Sequence, residues 1–586
     1  MASPSAARLP FNPLLGNSRF GALRGTGYEA SLLAGEQALA PSAGATTAST
    51  TAPTSWTSVG PQPEQSSATS QTWGGPNSGR ITGIAVAPGT SPTIYVATAG
   101  GGVWSSVNGG ASWMTTTDSQ PDLAIGSIAV DPTDPSLVVA GTGEANQCLD
   151  CFFGAGIMES TNAGASWTTV NPGGIFTGTT IGSIVIEPGA ASLTSTVVLA
   201  GTSHGLYISS DGGATWTAEG ASSWQGGANA VTSIVLNTLT SAVSIYAYVQ
   251  NVGLEYSADG GTTWTLIQSE PTGQTGLSDT GTLAIAPNST TSSTTLYETV
   301  GDAQGYVGFY KSTDGGATWS TLSMCADGTL NPESNCVPYF TNQEYAYGGQ
   351  NGNSGMDQSY YDNALMVDPQ NPNIIVAGGI TAIESTDGGT TWSNLNGGGY
   401  YGVTNNLFHP DFHAFAFDTT GNLYFGNDGG IWQMPAANVN PGSGAPTRAY
   451  NNLNSNLNIT QFYPGISQAS SAAMILAGAQ DNGTDLYSSP STTWSEVLGG
   501  DGGGTAIDPN NAQNQLATAD GNLYSTTDGW SSTSSEYLVV DDARKLDTCD
   551  ARKVNSFRHP NSCRRRSASR SAGCRPLAPS VGSWHP

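Results

Sequence analysis

The sequence predicts an all-β protein, a β-propeller built of four-stranded blades with about nine blades detectable. Three observations carry that expectation. Gly supplies 77 of the 586 residues and charged residues only 10%, against roughly 25% in an average soluble domain. Most of the remaining polarity is Ser, Thr and Asn, not the Ala, Leu, Glu and Lys that long helices require. Short apolar stretches alternate with period two between Gly, Pro, Asn and Asp, as in 81–88, 93–98 and 102–105, which is the pattern of strands and hairpins. Finally, an octapeptide of the form Ser-x-Asp-Gly-Gly-x-Thr-Trp recurs along the chain.

Residues 1–72 are expected to be a disordered N-terminal segment and linker: the first 24 residues contain Arg8, Arg19 and Arg24 but no apolar core of seven or more residues, so no secretory signal is visible, and 41–71 read as a Ser/Thr/Ala linker. Order is expected from about Trp73. The octapeptide is complete at 209–216, 257–264, 312–319 and 385–392, with Asp211, Asp259, Asp314 and Asp387 in its turn and Trp216, Trp264, Trp319 and Trp392 at its end. Softened copies carry Asn108 at 106–113 and Asn162 with Ala163 at 160–167, and a trace survives at 526–529. The first five box Trp residues are spaced 54, 49, 48 and 55 apart, about one four-stranded blade each. The reading is structural: Gly supplies positive φ, the Asp carboxylate accepts backbone N–H bonds, and Trp anchors the turn to the blade. Three further strand groups, at 411–434, 472–494 and 502–528, bring the count to nine. The expected division is propeller blades over 73–400 and further, incomplete blades over 401–540. One large ring is the alternative.

The octapeptide and its flanking strands resemble the Asp-box of the BNR-type β-propellers, in the sialidase-like and sortilin-like superfamily. The layout is most similar to the xyloglucan-active endoglucanases with two propellers. Asp-boxes also suggest sialidases, which hold the substrate carboxylate with three arginines. Residues 25–540 contain only Arg80, Lys311 and Arg448 as basic residues, so that activity is not expected. In the endoglucanases the resemblance implies a base in a Thr-Asp-Ile-Gly-Gly stretch on the first blade. Here the matching stretch is Thr98-Ala99-Gly100-Gly101-Gly102, with Ala99 in place of the Asp. The acid's Gly-Asp-Ile-Gly-Gly stretch is matched, one residue out of register, by Gly426-Asn427-Asp428-Gly429-Gly430.

The net charge is −27, and 39 of the 43 acids lie within 25–540. Phosphate contacts need a basic surface, so no nucleic-acid partner is expected, and no run of about 20 apolar residues spans a membrane. Residues 541–586 hold ten of the 16 basic residues and three of the seven Cys. Because the repeat pattern stops near Tyr537, a shifted reading frame is favoured there over a basic interaction tail. Cys148-Leu-Asp-Cys151, Cys325 and Cys336 are expected in local disulfides rather than a zinc site, since a second matched pair is missing.

If the first strand of each blade lines the axis, the loops between second and third strands share one face with the inter-blade loops. That face collects Glu144, Asp357, Asp411, Asp428, Asp481 and Asp501. They form the predicted ligand rim, although Asp-Gly and Asn-Gly are turn dipeptides in any case. Asp411, Asp428, Asp481 and Asp501 double as candidate catalytic carboxylates. His409, Asp411 and His413 would project to one side of an extended strand and form a candidate divalent-metal set; polar packing at the axis is the favoured alternative, with no other cofactor expected. Tyr360, Tyr361, Tyr400, Tyr401 and Phe412 beside the rim are candidates for stacking on sugar rings. The expected function is an extracellular, monomeric propeller that binds polysaccharide or another surface polymer without standard glycosidase activity. The alternative is a glycoside hydrolase using a different pair of rim carboxylates.

Overall fold

A computed structural model describes residues 58–65, 76–89, 92–146, 151–190, 192–220, 229–238, 243–269, 280–287, 293–302, 305–323, 337, 358–395, 408–439, 449–470, 473–531 and 536–538. Asp357, Tyr400, Tyr401, Arg448, Cys148, Cys325, Cys336 and the basic segment 541–586 lie outside them. Nine sheets are formed by these residues, eight antiparallel sheets of four strands and one mixed sheet of five. In each four-stranded sheet the strands follow chain order from inside to outside, so every blade is a simple meander. The expected all-β propeller is the fold observed.

The inner strands decide how the blades close. Ile81–Val86, Ile125–Val130, Ile181–Ile186, Val231–Asn237, Thr280–Ile285, Ala364–Asp368 and Phe412–Phe417 pack each against the next, and the seventh returns to the first. The ring therefore has seven blades, and a single nine-bladed ring is not formed. The strand group at 411–434 completes this ring, and Asn451–Asn452 is the outer strand of its seventh blade. Blade eight, with strands from Ser467–Gln468 to Trp494–Leu498, packs on blade nine, which begins at Gly502–Ile507. Glu64–Gln65 joins blade eight as its fifth strand, parallel to Trp494–Leu498.

Hydroxyl side chains near the start of the inner strands tie neighbouring blades together. Thr82 donates to the Ile125 carbonyl at 2.5 Å, Ser127 to Ile181 at 3.1 Å and Thr282 to Asn363 at 2.8 Å. Register shifts at Ile81/Gly83, Ile125/Ser127 and Ile181/Ser183 are bulges that turn these residues toward the next blade. Beyond blade seven, the chain folds back over blade one, where Trp113 Nε1 donates to the Leu453 carbonyl at 2.8 Å.

The octapeptide turns repeat one hydrogen-bond set. In the fifth blade Ser312 Oγ donates to Asp314 Oδ1 at 2.8 Å and accepts from Gly316 N–H at 2.8 Å. Thr318 donates to Asp314 through its N–H at 2.8 Å and its hydroxyl at 2.6 Å. The Thr318 and Ser312 bonds hold Asp314 below its ordinary pKa, since they favour the charged form. Asn108 and Asn162 reproduce the turn with Oδ1 as acceptor and Nδ2 donating to Ser112 and Ser166, which is why the softened copies still work. Trp392 is buried against Phe309 with ring centroids 5.1 Å apart.

Candidate functional site

The inter-blade loops and the turns between second and third strands do share one face, and on it the structure gathers residues from six blades. Arg80, just before the first inner strand, is its centre and is 1% exposed. Its Nη1 lies 2.6 Å from Glu144 Oε1, its Nε 2.8 Å from Asp428 Oδ1 and its Nη2 3.6 Å from Asp481 Oδ2. The guanidinium carbon sits 5.0 Å from the centre of the Tyr361 ring. Asp428 is further held by the Tyr361 hydroxyl, which donates to Oδ2 at 2.7 Å, and by His413 Nε2 at 2.7 Å from Oδ1. Asn146 Nδ2 stands 3.0 Å from the other His413 nitrogen.

Outside this buried knot lies a second layer. Asp362, fully buried, accepts from Gln358 Nε2 at 3.0 Å and is hydrogen-bonded to the Asp411 side chain. Asp501 Oδ1 accepts the Asp481 N–H at 3.0 Å, and Asp520 Oδ1 accepts the Asp501 N–H at 2.8 Å. Asp481 retains 26% of its side-chain exposure. Asp411, Asp481 and Asp520 have φ of 64°, 57° and 49°. Such left-handed backbone in non-Gly residues is sparsely populated and concentrates where the surrounding structure enforces it.

Burial by itself would raise Asp362, Asp411, Asp428 and Asp481. At Asp428 the Arg80 charge, and after it His413, reverse that and hold the group well below the usual carboxylate range. Asp411 and Asp481 are pushed the other way, by burial first and then by the fixed Asp428 charge. Asp362 is raised by burial, then by Asp411 and Asp428. The arrangement therefore sets one depressed carboxyl, Asp428, beside three raised ones, Asp362, Asp411 and Asp481.

Of the predicted rim, Glu144, Asp411, Asp428, Asp481 and Asp501 come together. The metal set does not form. Asp411 is left-handed and the strand begins only at Phe412, so His409 and Asp411 do not share a strand face with His413. His409 is buried with Nε2 3.1 Å from the Asp481 carbonyl, and burial lowers its pKa. Among the described residues no group of three or more His, Cys, Asp or Glu is placed to hold a metal ion. Gly429 makes this packing feasible, because a Cβ there would stand 2.5 Å from His409 Cβ. Phe412 is a core residue against Phe408, and Tyr361 is engaged by Arg80 and Asp428, so neither is a free stacking surface. Among the described residues Phe152 and Phe153 are exposed aromatics on this face, in the loop carrying Glu144, whose N–H bonds the Phe152 carbonyl at 3.0 Å. The neighbouring Cys151 is disulfide-bonded, as expected for the body cysteines.

Sequence reasoning passed over Arg80 and the Phe pair, and from the polar segment 355–362 on the rim face it chose Asp357 rather than Gln358 or Asp362. Arg80 had a signal, as one of three basic residues in the body. The Ala99 position is closed: Ala99 is buried, and a Cβ on Gly101 would lie 2.7 Å from Ile459.

The fold and site define a β-propeller with a carboxylate-rich face centred on one buried arginine. No family model matches the chain. It is 26% identical over 365 residues to a xyloglucanase of a Paenibacillus species, covering 55% of this chain and 32% of the relative. A xyloglucanase of Acetivibrio thermocellus is 26% identical over 324 residues, 48% of this chain and 34% of the relative. The chain thus spans about a third of these relatives' length. Among solved structures, the GH74 xyloglucanase from Xanthomonas campestris superposes with a TM-score of 0.52 at 17% identity, covering 79% of this chain and 74% of that one. The Niastella koreensis GH74 enzyme gives 0.51 at 18%, covering 79% and 67%. The likeness to the solved structures establishes the propeller fold, and no helix among the described residues is long and apolar enough to cross a membrane.

Proposed function

We propose that this chain is an extracellular glycoside hydrolase that cleaves a neutral β-linked glucan of the xyloglucan class. The observation that carries the reading is the meeting of Asp411, from blade seven of the ring, with Asp481, from blade eight, around an ionised Asp428. Glycoside hydrolysis needs a carboxylic acid that keeps its proton near neutrality and a second carboxyl across the bond. Asp481 is the proton donor, being raised and partly exposed. Asp411 is its partner across the seam. Asp428, fixed by Arg80, His413 and Tyr361, positions both and sustains their raised pKa. Phe152 and Phe153 offer apolar faces to pyranose rings. The acidic face disfavours uronic-acid polymers by like-charge repulsion. The similar relatives named as xyloglucanases support the substrate class.

Binding without cleavage is the second reading, favoured by Ala99 standing where the endoglucanase base would be. Reducing-end release from xyloglucan, unsubstituted β-glucan and polygalacturonate, with affinity electrophoresis on the same gels, separates the two. Hydrolysis of a neutral glucan, lost in Asp481→Asn and Asp411→Asn with binding retained, is the expected outcome. Binding with no release from any polymer would leave the non-catalytic reading, and neither binding nor release would overturn both.

A further inference from the structure

A second carboxyl cluster lies apart from the Arg80 knot, where the N-terminal strand Glu64–Gln65 meets blade eight. Glu64 is opposite Trp494 in the parallel pairing, and Glu496 lies two residues on, on the same face. Asp485 is the register partner of Glu496 across the antiparallel pair. Glu64 and Asp485 are both 0% exposed, and all four of their carboxyl oxygens are without a hydrogen-bond partner. A buried carboxylate in that condition is costly, and such a group takes up a proton instead. Burial raises Glu64 first, followed by the Asp485 and Glu496 charges, and Asp485 is raised by burial and then Glu496. The adjoining small cavity is lined by Glu64, Asn77, Asp481, Asn482, Glu496, Gly499 and Gly500, none of them a cation. The three carboxyls are not placed as a metal-ligand set.

Few bonds besides hold the strand in place. Gln62 N–H donates to the Thr492 carbonyl at 2.8 Å, Trp494 Nε1 to the Val59 carbonyl at 2.8 Å and Trp494 N–H to the Pro63 carbonyl at 3.3 Å. Glu64 and Asn77 exchange N–H bonds of 3.2 and 3.0 Å. The trio is thus set between the strand and the blade it covers.

We propose that Glu64, Asp485 and Glu496 form a proton-operated latch that keeps residues 59–65 on blade eight when protonated and releases them when ionised. Releasing the strand exposes the trio to water, so the open state gives up protons that the closed state keeps. The closed-to-open ratio then falls tenfold per pH unit for each proton released, from about pH 4.5 up to the raised values in the closed state. Because Asp481 lines the same cavity, the latch borders the candidate active site, but its existence does not depend on that site's chemistry.

Hydrogen exchange of peptides spanning 59–65, on the full chain from pH 5 to 8 and corrected for intrinsic rates, tests the proposal. The expected result is at least a tenfold loss of protection across that range, with peptides from blades two to five unchanged. Glu64→Gln keeps the shape without the charge and should shrink the loss at least several-fold; Asp485→Asn, in the blade itself, should do the same. Protection that is equal at pH 5 and 8, or that falls as far in both variants as in the unmodified protein, overturns the latch. Protection that persists at pH 8 and collapses on adding a chelator also overturns it, by showing that a cation rather than protons neutralises the trio.

Discussion

Replacing Arg80 by Met is the sharpest test of how the site is held together. The substitution keeps the aliphatic stem and removes a charge that is 2.6 Å from Glu144, 2.8 Å from Asp428 and 3.6 Å from Asp481. Breaking a buried ion pair by deleting one partner costs about 3–5 kcal/mol, because the other charge is left uncompensated. Glu144 and Asp428 are both stranded, so the loss at pH 7 should reach at least that range. The sign of its pH dependence follows from linkage. In the wild-type protein Asp428 is depressed, so its contribution is present above the unfolded value near pH 4 and is lost as pH falls below it. Without Arg80, burial pushes Asp428 upward instead. The penalty then grows with pH from about 4, by about 1.4 kcal/mol per unit for each carboxyl the folded state must keep protonated. Moving from pH 7 to pH 5 should therefore recover about 3 kcal/mol per such carboxyl. Urea unfolding followed by Trp fluorescence at the two pH values measures this, with Asp428→Asn and the double variant completing a cycle. A loss below about 1 kcal/mol at pH 7, or the same loss at both pH values, would refute the claim that Arg80 neutralises this cluster.

Other consequences are more local. Trp392→Ala should cost about 3–5 kcal/mol by opening a cavity against Phe309, and Asp314→Ala should lower the melting temperature by breaking its turn; neither should alter glucan affinity in gel electrophoresis. Asp481→Asn should abolish the alkaline limb of the hydrolysis pH profile with the residual rate, because an amide has no proton to lose; a variant with unchanged rate and profile would remove Asp481 from the chemistry. Whole-protein stability should peak on the acidic side of neutral. Burial holds Glu298 up to about 8 and Glu159, with Asp211 nearby, up to about 7, so the folded state binds more protons and loses stability as pH rises from about 4.5 through those values, while depressed Asp259 and Asp314 withdraw theirs below about pH 4. Melting curves from pH 3 to 8 at fixed salt check this, Glu298→Gln should flatten the decline, and a maximum at pH 7 or above would contradict it.

The blades were legible because each octapeptide is a self-contained turn, specified by Ser, Asp, Gly and Thr within eight residues. Closure was not. Whether nine blades make one ring or seven and two depends on Phe412–Phe417 meeting Ile81–Val86, a long-range contact between apolar strands that resemble every other inner strand. The rim was legible in part, since the loop classes follow from the meander order, and five of its six acids proved to share one face. What the residues withheld was how the charges are divided among them. Asp428 reads as a turn residue in Asn427-Asp428-Gly429, and only the guanidinium of a residue far away in sequence makes it the ionised member. His409 and His413 failed as a metal pair because positive φ at Asp411 breaks the alternation on which the i, i+2, i+4 argument rests.

One arginine among so many acids would be a poor neutraliser if its task were to balance charge. Its geometry points to a different effect. By pinning Asp428 in the ionised state from one side while His413 and Tyr361 hold it from the other, Arg80 plants a fixed negative charge in a buried setting, and that charge raises Asp411, Asp362 and Asp481. The neighbours are thereby shifted toward the carboxylic acid form, which donates hydrogen bonds as well as accepting them, where a carboxylate only accepts. A face of seven ionised acids would repel itself and present only acceptors to a sugar. With Asp428 depressed and Asp362, Asp411 and Asp481 raised, the face can offer hydrogen-bond donors on one side and acceptors on the other. Acidity of composition and chemical competence at the site are thus reconciled by where a single cation is buried, and a second arginine at this face would lower the very pKa values on which the proposed chemistry depends.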